Sequence, residues 1–85
     1  MYKIGISNNA IKEIQKLDKL VYLRVSNKIL TLENNPRPFG CLNLNGMEGY
    51  RIKIGDYRVL YTIDDEKKEV IIYRVSHRKD AYKNK

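Results

Sequence analysis

Residues 50–63 read YRIKIGDYRVLYTI, and the fold follows from this stretch. Two runs of alternating residue type flank Gly55-Asp56, the pattern of a β-hairpin. Successive side chains on a strand point to opposite faces, so Tyr50, Ile52 and Ile54 share one face and Arg51 and Lys53 the other. The second strand opens with Tyr57-Arg58. Three cations thus gather at one end of an otherwise apolar hairpin. Like charges set opposite one another destabilise a sheet, so stability alone does not call for them. A surface that must hold a polyanion does.

Working outward, residues 64–68 form a polar turn and residues 69–77 a last strand. Simple alternation puts Val70 and Ile72 on one face and Ile71, Tyr73 and Val75 on the other, the signature of a strand in the middle of a sheet. Residues 78–82 leave it as a loop or single helical turn. Toward the N-terminus, residues 41–44 form a short edge strand, followed by turn signals at Asn45-Gly46 and Gly49. Asn34-Asn35-Pro36 ends a helix, because proline cannot continue one. That helix carries Val21, Val25, Ile29 and Leu32 as its buried stripe, with Leu20 beside it. Asp18 is its N-cap. A shorter helix with Ala10, Ile11, Ile14 and Leu17 starts after Ser7-Asn8-Asn9. The tight join predicts an antiparallel helical hairpin. Residues 2–6 are a strand. The reading is α+β: an N-terminal strand, a helical hairpin, then a mainly antiparallel twisted sheet, β-α-α-β-β-β-β, as one domain over residues 1–85 with a tail at 79–85.

The 85 residues carry 17 Lys and Arg against 10 acids, a net charge of +7. The last twelve residues hold five cations and one acid. This asymmetry points to nucleic acid or an acidic protein partner, with a basic protein lacking any polyanion ligand as the plain alternative. The single cysteine, Cys41, excludes an internal disulfide and fits a reducing compartment. No stretch approaches the roughly 20 apolar residues of a membrane span, and no signal-peptide pattern opens the chain. A cytoplasmic protein is expected. No Gly-rich phosphate loop or metal-ligand spacing occurs, so neither a metal nor a cofactor is expected.

Four stretches carry a family likeness: AIKEIQKL at residues 10–17, NPRP at 35–38, LNGMEGYRIKIGDYRVLY at 44–61, and HRKDAY at 77–82. They resemble the RelE/ParE superfamily of bacterial and archaeal toxins over nearly the whole chain. The resemblance implies the toxin of a type II toxin–antitoxin pair. In its RelE form this is an endoribonuclease that cuts messenger RNA in the ribosomal A site without a metal and so inhibits translation. In its ParE form it inhibits DNA gyrase and cuts no RNA. It also implies a cognate RelB-like antitoxin, a ribosome–mRNA target and toxin–antitoxin hetero-oligomers. Carried over by position, the catalytic set is Arg51, Lys53, Arg58, Arg78 and Tyr82. Arg51 stands where the best-known RelE-type set has lysine, and Tyr82 follows Arg78 more closely than in that set.

Cleavage without a metal uses the neighbouring 2′-hydroxyl as nucleophile. The protein must deprotonate it, stabilise the phosphorane and protonate the leaving oxygen. Arg51, Arg58 and Arg78 suit phosphate and transition-state binding, since guanidinium is planar, always charged and bidentate. Lys53 is the candidate base, and Tyr82 stacks on a base or transfers a proton. Arg51, Lys53, Arg74, Lys79 and Lys83 are expected to bind RNA. His77 has the intrinsic acidity for acid–base work but reads more readily as a supporting residue. Each residue has a bland reading too. Arg51 and Lys53 suit a solvated strand face, Arg58 an ion pair with Asp56 or Asp80, Arg78 a strand end and Tyr82 a tail anchor. Tyr57, Tyr61 and Tyr73 read as sheet packing.

Overall fold

The computed structural model describes residues 1–46 and 48–79. Seven elements follow in the expected order: β1 (Lys3–Ile6), α1 (Asn8–Gln15), α2 (Lys19–Thr31), β2 (Leu42–Asn43), β3 (Tyr50–Ile54), β4 (Tyr57–Asp64) and β5 (Glu69–His77). The strands form one sheet in the order β1-β5-β4-β3-β2. Neighbours are antiparallel except β1 and β5, which run parallel. The first strand therefore lies beside the last, a pairing that no local signal encodes.

Both helices start as their sequences dictate. The Ser7 hydroxyl accepts the Ala10 N–H at 3.1 Å, and the Asp18 carboxylate accepts the Val21 N–H at 3.0 Å. Each satisfies a first-turn donor that has no partner within the helix. Ala10 and Ile14 of α1 and Val25 and Ile29 of α2, with Leu32, pack on Ile52, Val59, Tyr61, Val70, Ile72 and Val75 of the sheet. Leu20 departs from its expected place beside the buried stripe and is largely exposed. Among the described residues no helix is long and apolar enough to cross a membrane.

One face assignment is corrected. Along β5, Arg74 stands opposite Leu60 but Ile72 stands opposite Tyr61. Tyr73 is thus an extra residue, a β-bulge that reverses the inside–outside parity. Val75 joins Val70 and Ile72 in the core and parts from Ile71 and Tyr73. The bulge also coincides with the point where β1 stops. β1 covers β5 only from Glu69 to Ile72, so the mid-sheet expectation holds for the first half of β5, and the second half is a sheet edge. There the Val75 N–H donates to the Glu13 carboxylate of α1 at 2.6 Å, and the same carboxylate pairs with Arg74 Nε at 3.3 Å.

The proline loop between α2 and β2 is anchored through Tyr61. Its ring is fully buried, and its hydroxyl donates to the Pro36 carbonyl at 2.7 Å. Burial holds this phenol well above its usual pKa. Next to it, Arg37 spans the Asp65 carboxylate at 2.9 and 3.2 Å, and its Nε donates to the Tyr50 hydroxyl at 3.2 Å. The Tyr2 hydroxyl also donates to Asp65, at 2.7 Å. Gly49 is required where the chain enters β3. Its φ is +115°, and a Cβ there would overlap the Tyr61 carbonyl oxygen.

Two outcomes follow from this anchor. Tyr61→Phe leaves the buried Pro36 carbonyl without its donor and is expected to lower stability by about 1–3 kcal/mol in urea denaturation. The hydrogen bonds from Arg37, and then from Tyr2, hold the Asp65 carboxyl below its usual pKa. A carboxyl with a depressed folded-state pKa stabilises fully above its unfolded value, about 3.9. That contribution is lost as pH falls through the lower folded value. Asp65→Asn should flatten this part of the acid limb in a pH series of urea midpoints.

Candidate nucleic-acid interface

The registers of β3, β4 and β5 place the cations. Ile52, Val59 and Val75 are cross-strand neighbours and face the helices. The flanking rows must therefore face away. One row is Lys53–Arg58–Ser76 and the next is Arg51–Leu60–Arg74. With adjacent strands about 4.8 Å apart, each row spans about 10 Å. Leu60 is buried on this outer face, only 3% exposed, and lies between Arg51 and Arg74. The surface is thus an apolar floor flanked by arginines, with Lys53 exposed at its rim.

Arg78 lies two residues beyond Ser76, just past the end of β5. Its N–H donates to the Asp56 carbonyl at 2.6 Å, and its Nε lies 3.8 Å from the Asp56 carboxylate. Asp56, one of the two expected alternative partners of Arg58, is therefore engaged by Arg78, and the other, Asp80, lies outside the described residues. Arg58 Nη1 instead reaches the Tyr57 carbonyl at 3.4 Å. Among the described residues no acid pairs with Arg58 or Lys53.

Not every candidate converges. His77 pairs with Tyr57 across the strands, on the helix face, and the two rings meet edge-on at 5.3 Å. Its Nδ1 accepts the Lys79 N–H at 3.2 Å, which leaves the proton of the neutral ring on Nε2. The sheet separates this imidazole from Lys53 and Arg58, and its contact with Lys79 ties it to the turn that carries Arg78. Lys79 is exposed in the same turn. Tyr82 and Lys83 lie outside the described residues. Tyr61 is core packing, whereas the Tyr73 hydroxyl donates to the Glu48 carbonyl at 3.3 Å. Cys41 is half-buried and rests against the core.

Sequence reasoning missed two residues here. Glu13, mid-helix, fixes Arg74 and the β5 edge, which no helical pattern announces. Ser76 is buried, and its Oγ has no hydrogen-bond partner among the described residues. Arg58 Nε, in the cross-strand neighbour of Ser76, is also buried without a partner. Two buried donors on cross-strand neighbours thus lack hydrogen-bond partners among the described residues.

The family model for the ParE toxin of the type II toxin–antitoxin system parDE matches residues 4–82. The chain belongs to this family. Within it the chain is a RelE-type toxin. It is 33% identical over 84 residues to toxin RelE of Mycobacterium tuberculosis, covering 96% of this chain and 87% of that protein. Among solved structures it is similar to a chain of the archaeal RelE–RelB complex from Pyrococcus horikoshii, with 31% identity and a TM-score of 0.81 over 94% of this chain and 98% of that one. It is also similar to a chain of the intact Escherichia coli RelBE toxin–antitoxin complex, with 31% identity and a TM-score of 0.78 over 91% and 96%. The family match runs from within β1 to beyond the end of β5.

Ser76→Ala removes a hydroxyl that makes no hydrogen bond with the described residues, so it should leave this toxin as stable as the parent or slightly more so. Thermal unfolding of the two proteins checks this.

Proposed function

We propose that this RelE-type toxin is an endoribonuclease that cleaves messenger RNA in the ribosomal A site. The carrying observation is the outer face, where Lys53 and Arg58 stand beside one another with no acidic partner among the described residues and Arg78 follows two residues after Ser76. A scissile phosphate laid across that face meets Arg58 and Arg78, whose guanidinium groups bind its oxygens and stabilise the extra charge of the phosphorane. Lys53 takes the 2′-hydroxyl proton as that oxygen attacks phosphorus, a 2′,3′-cyclic phosphate forms as the P–O5′ bond breaks, and the leaving 5′-oxygen takes a proton from Tyr82 or from water. Arg51 and Arg74 flank Leu60 and hold adjoining phosphates. Lys79, with Tyr82 and Lys83 beyond it, supplies the continuing basic tail and an aromatic ring for stacking. This chemistry calls on protein groups alone. A site without a strong base at neutral pH gains from a substrate oriented by a larger machine, which supports the ribosome as host.

The P. horikoshii and E. coli relatives are solved with antitoxins, and we infer the same kind of partner here. A groove between β1 and the helices is lined by Ile4, Ile6, Ile11, Tyr22, Ile29 and Leu30. Ile6, Ile11, Tyr22 and Leu30 are exposed. An amphipathic antitoxin segment fits such a surface.

A second reading rests on the matched family's own description as ParE toxin, under which the target is DNA gyrase. A translation reaction with the purified chain, followed by primer extension and run beside a ribosome-free control, decides between the two. Codon-internal cuts that require ribosomes support the nuclease. Intact message together with inhibited supercoiling supports the gyrase reading. Under the first, Arg58→Ala and Arg78→Ala each lower the cleavage rate by about 100-fold or more. Full-rate cutting by either variant removes that residue from the site.

A further inference from the structure

α2 contains Lys19, Arg24 and Lys28 and no acidic residue. Arg24 and Lys28 are one turn apart on the same helix face, an arrangement in which like charges repel. Asn27 and Thr31 share that face. It looks onto an open groove whose other wall is the end of β3, so that Arg24, Asn27, Lys28 and Thr31 confront Lys53 and Gly55. β2 pairs only with Tyr50 and Arg51, so among the described residues no strand covers the edge of β3 at this point. Among the described residues no carboxylate and no aromatic ring lines the groove, and its one apolar side chain is Ile54. None of its three cations has an ion-pair partner among the described residues.

The groove is continuous with the outer face. Lys53 belongs both to it and to the Lys53–Arg58–Ser76 row. The Arg24 guanidinium reaches to the β3–β4 turn, where a Cβ on Gly55 would lie 3.6 Å from its Nη2. Glycine at 55, with φ of +58°, leaves that side of the turn open.

We propose that this groove is a track for the RNA strand that leaves the cleavage face: its phosphodiester backbone turns over the free edge of β3 at Lys53 and runs along α2 between Lys28 and Arg24. This rests on the nuclease reading and extends its footprint to a second face. The lining sets the mode of recognition. Cations, an amide and a hydroxyl contact phosphates and 2′-hydroxyls, and with no ring to stack a base the track reads no sequence. Its occupant is the strand being cut, because the path begins at Lys53.

The test measures binding of an uncleavable ten-nucleotide 2′-O-methyl RNA by fluorescence anisotropy across a salt series. It compares the parent chain, an Arg24→Gln/Lys28→Gln variant and a Lys12→Gln/Lys67→Gln variant of equal net charge. Losing two phosphate contacts lowers the slope of log affinity against log salt by about 1.4 for a single strand. The groove variant should show that fall and about tenfold weaker binding at low salt, while the control variant stays within about twofold of the parent. Equal effects in both variants, no effect in the groove variant, or no measurable binding by the parent at low salt each overturn the track. So does a groove variant that loses affinity for poly-glutamate but not for RNA, which would assign the face to an acidic protein. A parent that leaves ribosome-bound message intact while passing the salt test removes the nuclease reading and leaves the RNA track standing. Intact cleavage with a failed salt test removes only the track.

Discussion

The row Ile52–Val59–Val75 is the constraint on which the rest of this toxin depends. Once these three side chains are buried against α1 and α2, strand geometry leaves their neighbours no choice of side. Lys53, Arg58 and Ser76 face outward together, as do Arg51, Leu60 and Arg74. A shift of one residue in any register would bring a lysine or arginine into the core, where an unpaired charge costs several kcal/mol. The hydrophobic effect on one face thus arranges the electrostatics of the other.

The proline loop serves the same sheet from its far end. Tyr61 is the point where core and loop meet, with its ring among the buried residues and its hydroxyl on Pro36. Tyr50 stacks beside it at 5.9 Å, and the Arg37 guanidinium lies 5.2 Å from the Tyr50 ring centre. These contacts fix where β3 begins, and hence where Arg51 and Lys53 stand on the outer face. An exposed ion pair such as Arg37–Asp65 contributes little by itself. Its geometric role, holding loop and β4–β5 turn together, is the larger one.

Much of this was legible from residue order alone. The hairpin at 50–63, its two faces, both helix caps and the short edge strand are written in local alternation and capping residues. The outer cations follow from that alternation. What escaped was set by pairing. The bulge at Tyr73 exists only because Leu60 and Tyr61 oppose Arg74 and Ile72, so a period-two reading of β5 misplaced Val75. The parallel contact of β1 with β5 joins residues more than sixty positions apart. Glu13 and Ser76 carried no pattern, since a mid-helix glutamate and a strand serine are ordinary until the fold shows what lies beside them. Likewise, no local rule assigns Asp56 to Arg78 in preference to Arg58.

The Glu13 contact has a consequence for how this toxin behaves in a crowd. Beyond Ile72, among the described residues, no strand pairs with the outer side of β5, and an unpaired strand edge is the kind of template on which a second chain adds its own strand and aggregation begins. The Glu13 carboxylate already occupies the Val75 N–H and brings to that edge an ion pair with Arg74. A stray strand would have to displace an acceptor anchored on α1 and desolvate its charge. The helix therefore acts as a chaperone built into the chain, protecting the edge it lies beside.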